Sequence, residues 1–257
     1  KDVLYVLLRK VGDMQIMKVD YKTRSISLLP ILNKGSLKEL TLYKDNDLIF
    51  ASGSAISSIQ FQHYDFLNNK LAPLSFASKV YDALGIFETK VILIPSRDGK
   101  KIPVSLVYQK GMNLQNNNPL LIEAYGNSGL STDMFYDPTR VPWLKHGGVY
   151  VYAHVRGGGE SGEDWIRDGQ FPNKMNSIND IVDVAEYFVK NNYTSPAKQL
   201  VMGSSAGGFL VGMSINQRPD LFAGGLFLSG LPDIVTYRDA AFARESKSVG
   251  PIGTKEG

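Results

Sequence analysis

From residue 2 to about 74, apolar and polar positions alternate in short runs broken by turn residues, the pattern of half-buried antiparallel strands. Strands are expected at 3–8, 14–19, 25–29, 39–43, 47–52 and 58–64. Turns are expected at Gly12-Asp13, Asn33-Lys34-Gly35, Asp45-Asn46-Asp47 and Asn68-Asn69. The pattern also repeats. Met-Gln-Ile-Met-Lys-Val-Asp-Tyr from Met14 matches Ile-Gln-Phe-Gln-His-Tyr-Asp-Phe from Ile59, an offset of 45 residues, and each copy leads into a turn and a strand ending in Leu. That offset is the period of a four-stranded propeller blade; an irregular antiparallel sheet is the alternative. About two blades fit here, whereas propellers close with roughly four to eight, so an intact propeller would require sequence upstream of Lys1.

Residues 76–87 break the strand rhythm and mark the expected boundary between a first domain, 1–78, and a second, 79–257. Strands at 89–95 and 102–108 flank Asp98-Gly99, a hairpin signal. An Asn-rich loop at 113–118 leads to a buried-type strand at 119–125. A short segment, 138–146, precedes a second buried-type strand at 149–155. Between 176 and 192, Ile178, Ile181, Val182, Ala185, Phe188 and Val189 recur at helical spacing. A strand at 199–202, a helix at 205–216 and a strand at 224–228 follow. Strands alternating with helices imply right-handed crossovers and a mostly parallel sheet flanked by helices.

Composition acts here by exclusion. The 257 residues are 43% hydrophobic and 21% charged, ordinary for a globular protein. A net charge of +3 is too small to argue for a nucleic-acid or anionic membrane partner. The absence of cysteine removes a disulfide framework and a thiolate zinc site, and no cofactor or metal is expected. No apolar run approaches the ~20 residues of a membrane span, and no signal peptide is visible. The expected location is cytoplasmic, with the periplasm as the alternative.

Candidate chemistry centres on Gly203-Ser204-Ser205-Ala206-Gly207, which follows the apolar run Leu200–Met202 and precedes a run of small residues. This is the strand–turn–helix setting of a nucleophile elbow. The residues two before and two after the serine must be nearly side-chain-free, and Gly203 and Gly207 satisfy that demand. Ser205 is the candidate nucleophile, with a strained backbone expected at the apex. Its competing role is a helix-capping serine in a glycine-rich turn. The Ala206 N–H, at the positive end of the helix, is a candidate oxyanion donor. A second donor should come from the loop after the third strand, where Tyr125 stands. This is an α/β-hydrolase pattern.

Gly157-Gly-Gly-Glu-Ser-Gly162 formally satisfies Gly-x-Gly-x-x-Gly after a strand. A dinucleotide site is not expected, because residues 163–171 do not read as a helix opening on the last glycine. Nor does a second strand end in an acid about twenty residues on; Asp180 falls at a helix start. A rigid loop with Arg156 and Glu160 in ion pairs is expected instead. Among the histidines, His63 is expected at a surface or edge and His154 packed within its strand.

Several motifs recur in order: Ala153-His-Val-Arg-Gly-Gly-Gly-Glu160 with Gly162 and Trp165, Tyr193-Thr-Ser-Pro196, Gly203–Gly208, and Asn216-Gln-Arg-Pro-Asp-Leu-Phe222. Over residues 88–230 they closely resemble the prolyl oligopeptidase family of serine peptidases. The resemblance implies a seven-bladed propeller joined to an α/β-hydrolase domain. It implies short peptides as substrates, cut after proline or basic residues, and Tyr125 as the hydroxyl donor to the oxyanion. That family usually has two glycines after the tyrosine, where this chain has Gly126-Asn127.

The triad of such a fold runs Ser, acid, His along the chain, yet His63, His146 and His154 all precede Ser205. Asp220 belongs to the Arg-Pro-Asp-Leu-Phe turn, and Asp233 and Asp239 come before the strand that should carry the acid. The expectation is a serine oligopeptidase represented by a fragment: a C-terminally incomplete α/β hydrolase preceded by the last blades of a β-propeller. It would lack its triad Asp and His and be inactive alone. The alternatives are a carboxylesterase on the same fold and a peptide-binding protein that does not cut. The resemblance implies a tryptophan in residues 233–250 for stacking on a proline ring, or acids there for a basic residue; this chain has no tryptophan in that segment, and Glu245 or Asp239 are its candidate acids.

Overall fold

The alternation of the N-terminal stretch becomes two antiparallel meanders. A computed structural model describes residues 2–9, 11, 13–32, 35–74, 85–230 and 250. The first meander has the order β1 (Val3–Leu8), β2 (Gln15–Asp20), β3 (Ser25–Leu28). The second has the order β4 (Ser36–Leu42), β5 (Leu48–Ser54), β6 (Ser57–Asp65), β7 (Lys70–Pro73). The sequence repeat falls on β2 and β6, the penultimate strand of each sheet. Its aspartate does the same work in both copies: Asp20 Oδ1 accepts the N–H groups of Lys22 and Thr23, and Asp65 Oδ1 accepts that of Asn68. An Asp that folds back on the backbone two or three residues later starts a tight turn.

Ile16, Leu48, Phe50 and Tyr64, all fully buried, form the centre of one apolar cluster with Met14, Leu29 and Leu37. β4 begins at Ser36, earlier than alternation suggests. Glu39 adopts φ +56° and the pairing with β5 slips between Lys38 and Thr41, and such a bulge puts the side-chain alternation out of phase. His63 is not at an edge. β6 lies between β5 and β7, and the ring is half-buried with Nε2 2.7 Å from Asp47 Oδ2.

The chain separates into two compact units, Lys1–Thr89 with Asp133–Thr139, and Lys90–Thr132 with Arg140–Gly257. The excursion 133–139 joins the first unit through Arg9, which pairs with Asp133, and Lys38, whose ammonium stands 4.0 Å from the Phe135 ring centroid. Most of the expected 76–87 boundary, and the Asn33-Lys34 turn, lie outside the described residues.

In chain order the remaining elements are β8 (Phe87–Pro95), β9 (Lys101–Gln109), β10 (Leu120–Ala124), α1 (Val141–Lys145), β11 (Val149–Ala153), α2 (Glu163–Arg167), α3 (Met175–Lys190), β12 (Gln199–Ser204), α4 (Ala206–Gln217) and β13 (Gly224–Leu228). The six strands form one sheet in the order β13-β12-β10-β11-β9-β8. β11, β10, β12 and β13 run parallel, and β9 runs antiparallel to β11. Parallel strands buried on both faces read as continuous apolar runs; Val149–Ala153 is buried throughout. The apolar stripe of α3, including Ile178, Ile181, Val182, Ala185 and Phe188, packs in the same core as Ile122, Val151 and Val201. Among the described residues no helix is long and apolar enough to cross a membrane.

Two details depart from the expected elements. β11 ends at Ala153, so His154 lies just beyond the strand rather than in it. A one-turn helix, α2, does open on Gly162; Glu163 and Asp164 in its first turn complement the helix dipole, which outweighs the weak periodicity there.

The sheet is tied to α3 by buried charge. Arg156, 1% exposed, donates through Nε and Nη2 to Asp180 at 2.9 and 2.6 Å, and through Nη1 to Asp98. Burial opposes the charge on Arg156, and its bonds to the two carboxylates outweigh that and hold it protonated. Arg97 binds Asp183 through its backbone N–H at 2.8 Å and through Nε at 2.9 Å. The β8–β9 hairpin is thereby clipped onto α3 at two points.

Removing one partner of a buried pair strands the other. Asp180→Ala should therefore lower unfolding free energy by about 3–5 kcal/mol, read from denaturant melts. Burial would raise the Asp98 carboxyl, but bonds from Ser96, Arg156 and the Lys100 amide, with the Arg156 charge, bring it down to about 2. The folded value lies below the unfolded one, so this stabilisation is complete above pH 3.8 and is lost as pH falls through about 2. Asp98→Asn should remove that component of the acid-side loss, seen as a smaller drop in thermal midpoint between pH 4 and pH 2 than in the parent.

Candidate active site

The site forms where β12 stops and α4 starts. Ser205 sits between them with φ +50° and ψ −123°, a combination outside the allowed regions for most L-residues. Its N–H donates to the Leu228 carbonyl at 3.0 Å, and its carbonyl accepts the Gly208 N–H at 3.0 Å. The strained residue is thus held from β13 on one side and from the helix on the other. The glycines on either side are required by contact. A Cβ on Gly203 would stand 2.5 Å from the Gly207 carbonyl carbon and 2.9 Å from Val211 Cγ2. One on Gly207 would stand 2.7 Å from the Ala124 oxygen.

Ser205 occupies the N-cap position of α4, but its side chain makes no capping hydrogen bond, which removes the capping role as the reason for a serine here. The residue is exposed. Ala206 is the first residue of α4, so its N–H is one of the helix-start amides that no intrahelical carbonyl accepts.

Tyr125 follows β10, the strand hydrogen-bonded beside β12. The position a Cβ would take on Gly207 lies 3.1 Å from Tyr125 Cα and 3.3 Å from its ring Cδ2. Ser205, Ala206 and Tyr125 all lie at the carboxyl ends of the neighbouring strands β12 and β10, the usual location of a site in an open α/β fold.

The histidines are engaged elsewhere. His146 Nδ1 is 2.7 Å from the Pro142 carbonyl, and His63 is with Asp47. His154 lies between Ser105 Oγ at 2.9 Å and Glu160 Oε1 at 3.4 Å. That trio has the elements of a Ser–His–acid relay, but its members are 0%, 2% and 8% exposed, so no substrate reaches the serine. Asp220 is held by Arg218 at 2.8 and 2.7 Å within its turn. Asp233, Asp239 and Glu245 lie outside the described residues.

Gly158 faces the Glu160 carboxylate, and the first turn of α2 carries two acids. A phosphate would meet negative charge there, which speaks against a dinucleotide despite the short helix. One neighbour of the site, Lys174, escapes sequence reading. Lys174 is 8% exposed and donates to the Gly126 carbonyl at 2.8 Å and to Asn127 Oδ1 at 3.1 Å. A lysine in a polar stretch reads as solvated, and only the sheet order brings it to residues 126 and 127.

Strand order, parallel core and serine bend together define the class: an α/β fold with a strained serine between a strand and a helix at the carboxyl edge of its sheet. Comparison with known proteins carries this to the family. Residues 135–252 match the prolyl oligopeptidase family, Peptidase_S9. It is 42% identical over 157 residues to dipeptidyl aminopeptidase BI of Pseudoxanthomonas mexicana, covering 61% of this chain and 22% of that protein. It is 31% identical over 231 residues to a prolyl endopeptidase of Dictyostelium discoideum, covering 86% and 30%. Among solved structures, a prolyl endopeptidase superimposes with TM-score 0.91 at 26% identity over 99% of this chain and 38% of its own. Oligopeptidase B from Trypanosoma brucei with covalently bound antipain superimposes with TM-score 0.87 at 25% identity, covering 100% and 39%. The chain thus spans about a fifth to a third of the length of these curated relatives.

Gly203→Ala should destabilise the fold by roughly 1–3 kcal/mol through overpacking. A thermal melt checks this, and the same change at the exposed residue Gly85, which has open space around it and no positive φ, separates steric overlap from loss of backbone freedom.

Proposed function

We propose that the protein containing this chain is a serine oligopeptidase that cleaves short peptides through an acyl-enzyme on Ser205. In this reading residues 1–78 are the last blades of a β-propeller and residues 79–257 most of an α/β-hydrolase domain. The Ser205 hydroxyl attacks the peptide carbonyl, and a general base takes its proton. The carbonyl oxygen becomes an oxyanion held by the Ala206 N–H and the Tyr125 hydroxyl. The amine leaves with a proton, and water releases the acid by the same route.

The observation that carries the proposal is the strained, exposed serine whose hydroxyl does not cap the helix it precedes. The family match and the peptidase names of the relatives support it. No histidine follows Ser205 in this sequence, so the base of the usual order is not among these residues, and the Arg218-held Asp220 is engaged in its turn. The proposal assigns base and acid to other parts of the protein, and the 257-residue chain by itself should turn over no peptide.

The test is labelling of the whole protein by a fluorophosphonate probe, combined with peptide and p-nitrophenyl ester turnover. Ser205→Ala should abolish labelling and reduce kcat on the order of 10⁶-fold, and Tyr125→Phe should reduce kcat about 10²–10³-fold. Labelling that persists in Ser205→Ala would sink the assignment, and ester turnover without peptide turnover would move it to an esterase.

A further inference from the structure

Lys174 stands at a position where elementary electrostatics disfavours it. It is the N-cap residue of α3, at the positive end of the helix dipole, where a cation is unfavourable. It is also buried, 8% exposed, and a buried ammonium is costly unless its donors find acceptors. Two of its acceptors are the Gly126 carbonyl and Asn127 Oδ1, at 2.8 and 3.1 Å. These belong to the two residues that directly follow Tyr125.

The turn they form has little room to move. Gly126 has φ +58°, and a Cβ there would stand 2.6 Å from Val155 Cγ2, 3.0 Å from the Arg156 oxygen and 3.1 Å from Leu210 Cδ1. Asn127 is 1% exposed, with its amide nitrogen 3.0 Å from Ser128 Oγ. On the other side of Tyr125, β10 is fixed by its ladders to β11 and β12. Tyr125 is therefore anchored from both directions, and the ammonium is the polar half of the anchor on its C-terminal side.

We propose that Lys174 is a positioning residue for the oxyanion donor: by gripping Gly126 and Asn127 it sets where the Tyr125 phenol stands relative to Ser205. This rests on the oxyanion role given to Tyr125 above. A hydrogen-bond donor contributes to catalysis only when aimed at the place where charge develops, and a small misplacement of a catalytic group costs rate rather than binding. Loss of the grip should therefore appear in kcat and leave KM nearly unchanged.

The experiment is a double-mutant cycle in the whole protein, with peptide kinetics on Lys174→Met, Tyr125→Phe and the pair. Lys174→Met is expected to lower kcat roughly 10–100-fold, with KM within about twofold. In the Tyr125→Phe background the same change should have little further effect, because residues acting through one another are non-additive. Equal losses in both backgrounds, an effect confined to KM, or no loss at all would overturn the proposal. Should Lys174→Met fail to fold by circular dichroism, Asn127→Ala, which removes one acceptor and leaves the lysine, goes through the same cycle with the same criteria. A Tyr125→Phe variant of full activity would defeat the oxyanion role itself, and this proposal with it. A damaged Tyr125→Phe with an additive cycle defeats only the positioning role.

Discussion

A side chain on residue 203 would have to share space with the Gly207 carbonyl, and this steric constraint shapes the whole site. Because strand end and helix start touch backbone to backbone, the residue between them has no room for an ordinary conformation. Ser205 takes φ +50° and is locked there by hydrogen bonds to Leu228 and Gly208. The same closeness aims the first turn of α4 at the carboxyl edge of the sheet, where Tyr125 packs against Gly207. The strain at Ser205 and the aim of the helix start are two consequences of that one contact.

Around that contact, buried charge replaces what an apolar core would do less specifically. Asp180 and Asp183 on α3 hold Arg156 and Arg97, while Lys174 at the start of α3 holds the turn after β10. Ser177 adds a bond to the Arg156 carbonyl at 2.6 Å. Buried pairs of this kind add little net stability compared with well-packed apolar residues, and their use as fixed registers is a hypothesis in any given protein. Here the geometry favours it: the pairs tie α3 to the β8–β9 hairpin, to the residues after β11 and to the turn after β10.

Much of the fold was legible because periodicity reports burial locally. β1 and β13 fall where alternation and apolar runs place them, and the stripe on α3 follows helical spacing. The misses have physical causes. The bulge at Glu39 shifts the alternation of β4 by one position, so its first residues read as loop. His154 reads as strand because apolar neighbours surround it, although the ladder ends one residue earlier. α2 is too short to show a period. The pairing of Asp133 with Arg9 spans 124 residues and has no local signature.

The serine bend is legible in the sequence because the overlap of residue 203 with the Gly207 carbonyl involves residues four apart. The expected order of nucleophile and base is likewise a matter of chain order and needs no coordinates. Which buried cation grips the turn after Tyr125 was decided only by tertiary structure. Tyr125 and Lys174 lie 80 and 31 positions from Ser205; Tyr125 follows β10, which pairs with β12 on the side away from β13, and Lys174 reaches the turn after it from the start of α3.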